Sequence, residues 1–415
     1  MKAYVRHCHF TPTLKNDATC CRIRIRITGH SERHNNGLTG KHWINVSTKQ
    51  PIESLTIKGF KSIRNLERLQ FGRLNVLIGS NGSGKSNLVS FFRMLTEMVE
   101  GRLQVWVSQQ GGADRVLSFG LKETTLFESS IVFGSSAEKN KYQIVFGPTV
   151  DGSFVFSDER LFYHGPNGNF QFSFGSGHKE ALVKTQRSVE PVSSNCYCAI
   201  SNWKVYHFHD TGDTAGMKRL CLAHDNDYFR SDASNLAAFL FRLQDESPDV
   251  YEQIRKTVRL AIPFFDDFVL KPQPLKTGEE QIRLLWRQLG SDYALWPSQL
   301  SDGSIRFICL VTALMQPDPP STIIIDEPEL GLHPYAITLL ASLLRSASTR
   351  MQVVVSTQSV PLVNEFSIDD LIVVERKQGE SVFCRYRERE FKDWLEEYTV
   401  GELWQKNILG GRPCK

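Results

Sequence analysis

The segment from Gly79 to Asn87 reads GSNGSGKSN: Gly79, Ser80, Asn81, Gly82, Ser83, Gly84, Lys85, Ser86 and Asn87. It follows the apolar run Val76, Leu77, Ile78, and a stretch so poor in side chains packs no core. Its glycines free the backbone for conformations that a Cβ forbids.

Gly79 to Ser86 fit the pattern G-x-x-x-x-G-K-[ST], the P-loop, and the pattern has the required context. RLNVLIG before it reads as a strand. SNLVSFFRMLTEMVE after it reads as a helix with Leu88, Phe91, Phe92, Leu95 and Met98 or Val99 along one side. Glycines let several N–H groups converge on a phosphate, and the helix that begins near Lys85 adds its positive N-terminus. Lys85 would meet the β- and γ-phosphates of ATP, and Ser86 would offer its hydroxyl to Mg²⁺. A glycine-serine turn with a chance lysine gives the same string, so a second motif has to decide.

TIIIDEPE supplies it. An apolar strand ending in Asp326 delivers a carboxylate at the carboxyl edge of a parallel sheet, where a nucleotide's metal sits in doubly wound folds. Asp326 would hold Mg²⁺, directly or through water. Glu327 follows, placed to polarise a water for attack on the γ-phosphate. In QLSDGSIRF, from Gln299 to Phe307, Ser301, Asp302 and Gly303 open an amphipathic helix with a second nest of N–H groups. One γ-phosphate needs one cradle, so the second suggests a nucleotide held by another copy of the chain.

GSNGSGKSN, LSDGS and IIIDEPE, in that order, resemble the Walker A, signature and Walker B motifs of ABC-type ATPases, in the soluble branch that includes RecF, SMC and OLD-family proteins. LTIKGFKSIRNLE, DEPELGLHP and VVVSTQS strengthen the likeness, which spans roughly residues 52 to 412. The resemblance implies an α/β P-loop NTPase head with a mostly parallel core sheet, an antiparallel β-subdomain and an inserted α/β or helical lid. It implies that Ser301 and Gly303 contact the γ-phosphate of a partner subunit, that Glu329 to Pro334 signal between subunits, and that Gln109 or Gln110 senses Mg²⁺. It differs at one place: Gln358 in STQS stands where these ATPases often carry a histidine. Glutamine can hydrogen-bond the attacking water but takes up no proton near neutral pH, so hydrolysis is expected to be slow.

The remainder of the chain is read from its texture. Residues 1–50 form a poorly defined N-terminal extension in which only CRIRIRITG suggests a strand, with Ile23, Ile25 and Ile27 on one face. It is either an accessory segment or a stretch upstream of the natural start. Residues 51–120 and 291–415 are expected to form the ATPase head, 121–200 the antiparallel subdomain and 201–290 the lid, with helices at Leu236–Leu243 and Val250–Leu260. No heptad pattern persists, which excludes a long coiled coil. FKDWLEEYTVGELWQKNILGG is expected to close the chain as an amphipathic helix packing through Trp394, Leu395, Leu403 and Trp404, after a strand pair.

Among 415 residues, a net charge of +4 argues for no nucleic acid by itself. Nine cysteines with irregular spacing suggest no disulfide framework and no structural metal. The lack of a bilayer-length apolar run or signal sequence leads to the expectation of a cytoplasmic protein. His207, His209 and Asp210 in WKVYHFHDT lack a third metal ligand and read as strand-surface residues, while Asp225 and Asp227 read as a turn before a helix.

The function expected is an ATP-hydrolysing, ATP-dependent homodimeric switch in DNA repair or antiviral defence. A regulatory subunit that docks an effector such as a nuclease, with little turnover, is the alternative.

Overall fold

The computed structural model describes residues 20–24, 43–47, 50–134, 138–166, 168–187 and 191–411. Its centre is a six-stranded sheet in the order Trp203–Tyr206, Thr322–Asp326, Gln352–Thr357, Leu74–Ile78, Leu371–Lys377, Glu380–Cys384. All neighbours run parallel except the last pair. The mostly parallel core follows from the continuous Val/Ile runs, which suit strands covered on both faces.

Alternation along these strands divides the interior in two. Val76, Ile78, Ile323, Ile325, Val353 and Val355 face the helices Asp302–Met315 and Pro334–Ser348. Leu77, Ile324, Val354 and Ile372 face the helix Lys85–Val99. Beyond that helix lies an antiparallel sheet in the order Ile63–Gln70, Ile52–Phe60, Phe127–Gly134, Lys139–Pro148, Phe154–Gly165, Gly168–Gly175. The Lys85–Val99 helix is therefore clamped between two sheets. Phe91 meets Phe60 edge to face at 5.7 Å and Phe92 meets Trp203 at 5.5 Å. Each such buried ring contributes about 2 kcal/mol through burial.

Several elements differ from the sequence reading. Trp203–Tyr206, assigned to the lid, is the edge strand of the parallel sheet beside Thr322–Asp326. Ile52–Phe60 and Ile63–Gln70, assigned to the head, belong to the antiparallel sheet. The helices expected in the lid are Leu236–Glu246 and Pro248–Ala261, which share a core with the parallel sheet and are accompanied by two small three-stranded antiparallel sheets. The final helix is split into Lys392–Leu395 and Val400–Gln405, because Thr399 and Glu402 form a capping box that starts a new helix. Leu403 and Trp404 are buried, whereas Trp394 is exposed. Near the start, Cys20–Arg24 pairs antiparallel with Trp43–Ser47, while Ile25 and Ile27 lie outside the described residues. Among the described residues, no helix is long and apolar enough to cross a membrane.

Candidate nucleotide site

Parallel strands deliver their following loops to one edge of the sheet, and four such loops converge here. The first is the P-loop. Gly84 caps the Lys85–Val99 helix at φ 112°, and a Cβ there would run into the Ser381 hydroxyl. The loop is tied down from outside: Ser381 Oγ donates to the Ser83 carbonyl at 2.6 Å, Arg376 to the Gly82 carbonyl at 3.0 Å, and Ser80 N–H to Gly411 at 2.8 Å. Asn87 Nδ2 donates to Ser62 Oγ at 2.6 Å.

Lys85 is buried, and its ammonium donates to the carbonyls of Gly79 at 2.6 Å and Ser80 at 3.0 Å. Burial pulls its pKa down, opposed by the carboxylates of Glu327, Asp326 and Glu329. Ser83 Oγ is buried without a partner. Among the described residues, the N–H groups of Gly82, Gly84, Lys85 and Ser86 have no acceptor within the protein. These unsatisfied donors fit a polyphosphate.

The second loop begins at Asp326, which is buried and accepts from the Ser356 hydroxyl on the adjacent strand. Glu327 takes a left-handed backbone at φ 44° and donates its N–H to Ser356 O at 2.9 Å. Positive φ in a non-glycine residue costs about 1–3 kcal/mol and is tolerated where the surroundings fix it. The third loop supplies Gln358, whose Nε2 donates to Glu327 Oε1. Glu329 is buried behind them and accepts from Thr357 Oγ1 at 2.5 Å and Gln358 N–H at 3.2 Å. Burial raises its pKa despite these bonds.

The fourth loop carries the histidines that the sequence reads as strand-surface residues, and the structure places them past the strand's end. It follows Trp203–Tyr206 and brings His207 and His209 to Asp326. His209 Nε2 donates to the Asp326 carbonyl at 3.0 Å, and the two imidazoles lie 4.0 Å apart. The pKa of His207 is lowered to about 4, first by loss of surrounding water and then by Arg93 and His209, with Asp326 in partial opposition. Arg93, half-buried on the P-loop helix, feels the Asp326 charge as well. Alternating histidines after a short strand are the signal for this loop in the sequence.

Gln109 is exposed. Gln110 accepts from Lys61 Nζ at 3.0 Å, and Lys61 also donates to Ser90 Oγ at 2.7 Å, one turn beyond Ser86. Among the described residues, neither glutamine bonds Ser86 or Asp326, whereas His209 bonds the Asp326 carbonyl.

Ser301 caps the helix Asp302–Met315 by accepting from Ser304 N–H at 3.1 Å, and Asp302 lies 3.5 Å from Lys218. Ser301 and Asp302 are exposed, and among the described residues no hydrogen bond or ion pair joins them or Gly303 to the P-loop. Arg306, buried one turn further on, donates to the carbonyls of Phe208 at 2.9 Å, His209 at 3.3 Å and Leu330. Asp225 pairs with Arg230 at 2.8 Å in the turn before the Leu236–Glu246 helix.

Comparison with known proteins agrees with this architecture. The chain is 28% identical over 147 residues to DNA repair protein RecN of Aquifex aeolicus, covering 35% of this chain and 28% of that protein's length. Its fold resembles the SmcHead bound to the C-winged helix domain of ScpA, with TM-score 0.56 and 17% identity, covering 82% of this chain and 99% of that one. It also resembles an Smc head domain with an extended coiled coil bound to the C-terminal domain of ScpA derived from Pyrococcus furiosus, with TM-score 0.52 and 16% identity, covering 84% and 99%. Residues 74–364 match the family described as "AAA domain, putative AbiEii toxin, Type IV TA system". The chain belongs to that family, and its fold is that of the ABC-type ATPases of the RecF/SMC kind.

Proposed function

We propose that this chain binds ATP with Mg²⁺ at the P-loop, hydrolyses it, and uses the bound state to bring two chains together as a switch acting on DNA, in repair or in defence against phage. The observation that carries the reading is the meeting of Lys85 with Asp326 and Glu327 at one sheet edge, close enough for both carboxylates to act on the lysine. Lys85 and the free N–H groups of the loop would bind and orient the phosphates. Ser86 and Asp326 would hold Mg²⁺, which supplies charge neutralisation of the phosphates. Glu327 would orient the attacking water and accept its proton. The DNA part is supported by the likeness to a DNA repair protein.

The hydrogen bond from Gln358 to Glu327 favours a second reading, an effector-docking subunit with little turnover, because it occupies an oxygen that the attacking water would use. ATP turnover with and without duplex DNA separates the two. Lys85→Ala should weaken ATP binding at least about 100-fold, since it removes the buried cation, whereas Glu327→Gln should bind ATP and retain it. Equilibrium binding decides this, and unchanged affinity in the lysine variant would refute the P-loop assignment.

A further inference from the structure

A single turn fixes one lysine beside the helix that Ser301 caps. Gly216–Lys218 form this turn, closed by Lys218 N–H donating to Ala215 O at 3.0 Å. Met217 is buried, and its sulfur meets Cys309 Sγ on the helix Asp302–Met315 at 3.7 Å, so the turn is anchored on that helix. The anchor sets Lys218 at the helix's first residue. Its ammonium lies 3.5 Å from Asp302 Oδ1, with the lysine side chain 6% exposed and that of Asp302 65% exposed.

Among the described residues, that ion pair is the one polar contact of the ammonium, and none of its three N–H donors enters a hydrogen bond. At the same helix end the N–H groups of Asp302 and Gly303 have no acceptor among the described residues, while Ser301 Oγ accepts from Ser304 N–H. Unused N–H groups at a helix N-terminus attract anions, and a buried cation beside them adds a full charge. Asp302 meets that charge with one carboxylate lying mostly in water, whereas a terminal phosphate brings a charge of about −2 and three strong acceptor oxygens. Among the described residues, neither Lys218 nor Ser301–Gly303 bonds the P-loop, so the phosphate that suits them is one held by another chain.

We propose that Lys218 reaches across to a second copy of the chain and binds the γ-phosphate of the nucleotide held there, exchanging Asp302 for it. This rests on the ATP reading of the P-loop. The test mixes two full-length chains with Mg²⁺ and a non-hydrolysable ATP analogue and reads ³¹P–¹⁵N dipolar coupling by solid-state nuclear magnetic resonance. One chain is unaltered and unlabelled. The other carries Lys85→Ala and ¹⁵Nζ-labelled lysine, at a nucleotide concentration that leaves its own P-loop empty. The expected result is ³¹P coupling to a lysine ammonium of the labelled chain, lost when that chain also carries Lys218→Met, which keeps an unbranched stem and removes the charge. The unaltered chain, labelled and alone, should show coupling from Lys85. Coupling there with none in the mixture, or coupling in the mixture that survives Lys218→Met, overturns the proposal and leaves the ATP reading intact. No coupling in the labelled unaltered chain overturns the ATP reading itself, and the proposal with it.

Discussion

Gly303 has no room for a side chain, because a Cβ there would run into the carbonyl oxygen of Gly331. Its place in LSDGS suggests a phosphate contact in a second chain, yet the loop after Glu327 demands the same glycine within one chain. Gly303→Ala should therefore destabilise the isolated protein by roughly 1–3 kcal/mol through overpacking. Urea unfolding without nucleotide measures it, and an unchanged midpoint would show that the Gly331 loop yields freely. Lys85, Asp326 and Glu327 were legible at this scale because their motifs are local strings. His209 and Arg306 were not: their partners lie 117 and 97 residues away in sequence, at Asp326 and His209 respectively.

Between elements, one buried side chain joins the two large sheets. Gln352 opens the strand Gln352–Thr357, accepts from Ile52 N–H at 2.9 Å, and donates to the carbonyls of Ile52 at 2.9 Å and Gly72 at 2.8 Å. Gln352→Leu would leave the N–H and carbonyl of Ile52 without this partner in the core, each costing about 1–3 kcal/mol, while the Gly72 carbonyl keeps the Asn75 amide at 2.9 Å. A loss of about 3 kcal/mol or more is expected from denaturant unfolding, and a loss below about 1 kcal/mol would mean that water replaces the amide. The strands themselves were readable from their alternation or their apolar runs. Which sheet each joins was not: Ile52–Phe60 lies close to the P-loop strand in sequence, yet its alternating pattern belongs to the antiparallel sheet. Trp203–Tyr206 is short and opens into a polar segment, so it lacked the long apolar run that marks a buried parallel strand.

For the molecule as a whole, the signature segment lies open at the surface while the P-loop is built without it, as the two-chain reading requires. Ser301→Arg and Lys85→Ala should each be inactive alone. Random pairing of the two gives half the dimers one intact site, so the mixture should recover about a quarter of the unaltered activity. The arginine variant also loses a helix cap worth about 1 kcal/mol, so its folding is checked first by its unfolding curve. Folded variants that recover nothing on mixing would remove the shared site from the mechanism.

The P-loop strand Leu74–Ile78 is wedged between Gln352–Thr357 and Leu371–Lys377, and Gln352 meets Ile52 across 300 residues of chain. During synthesis the strand therefore leaves the ribosome long before either neighbour exists. At elongation rates of about 5–20 residues per second it waits roughly 15–60 s with Val76, Leu77 and Ile78 uncovered. The candidate nucleotide site is thus among the last parts of the protein to become real, and the nascent chain is an expected client of chaperones that shield apolar strands until the final third arrives.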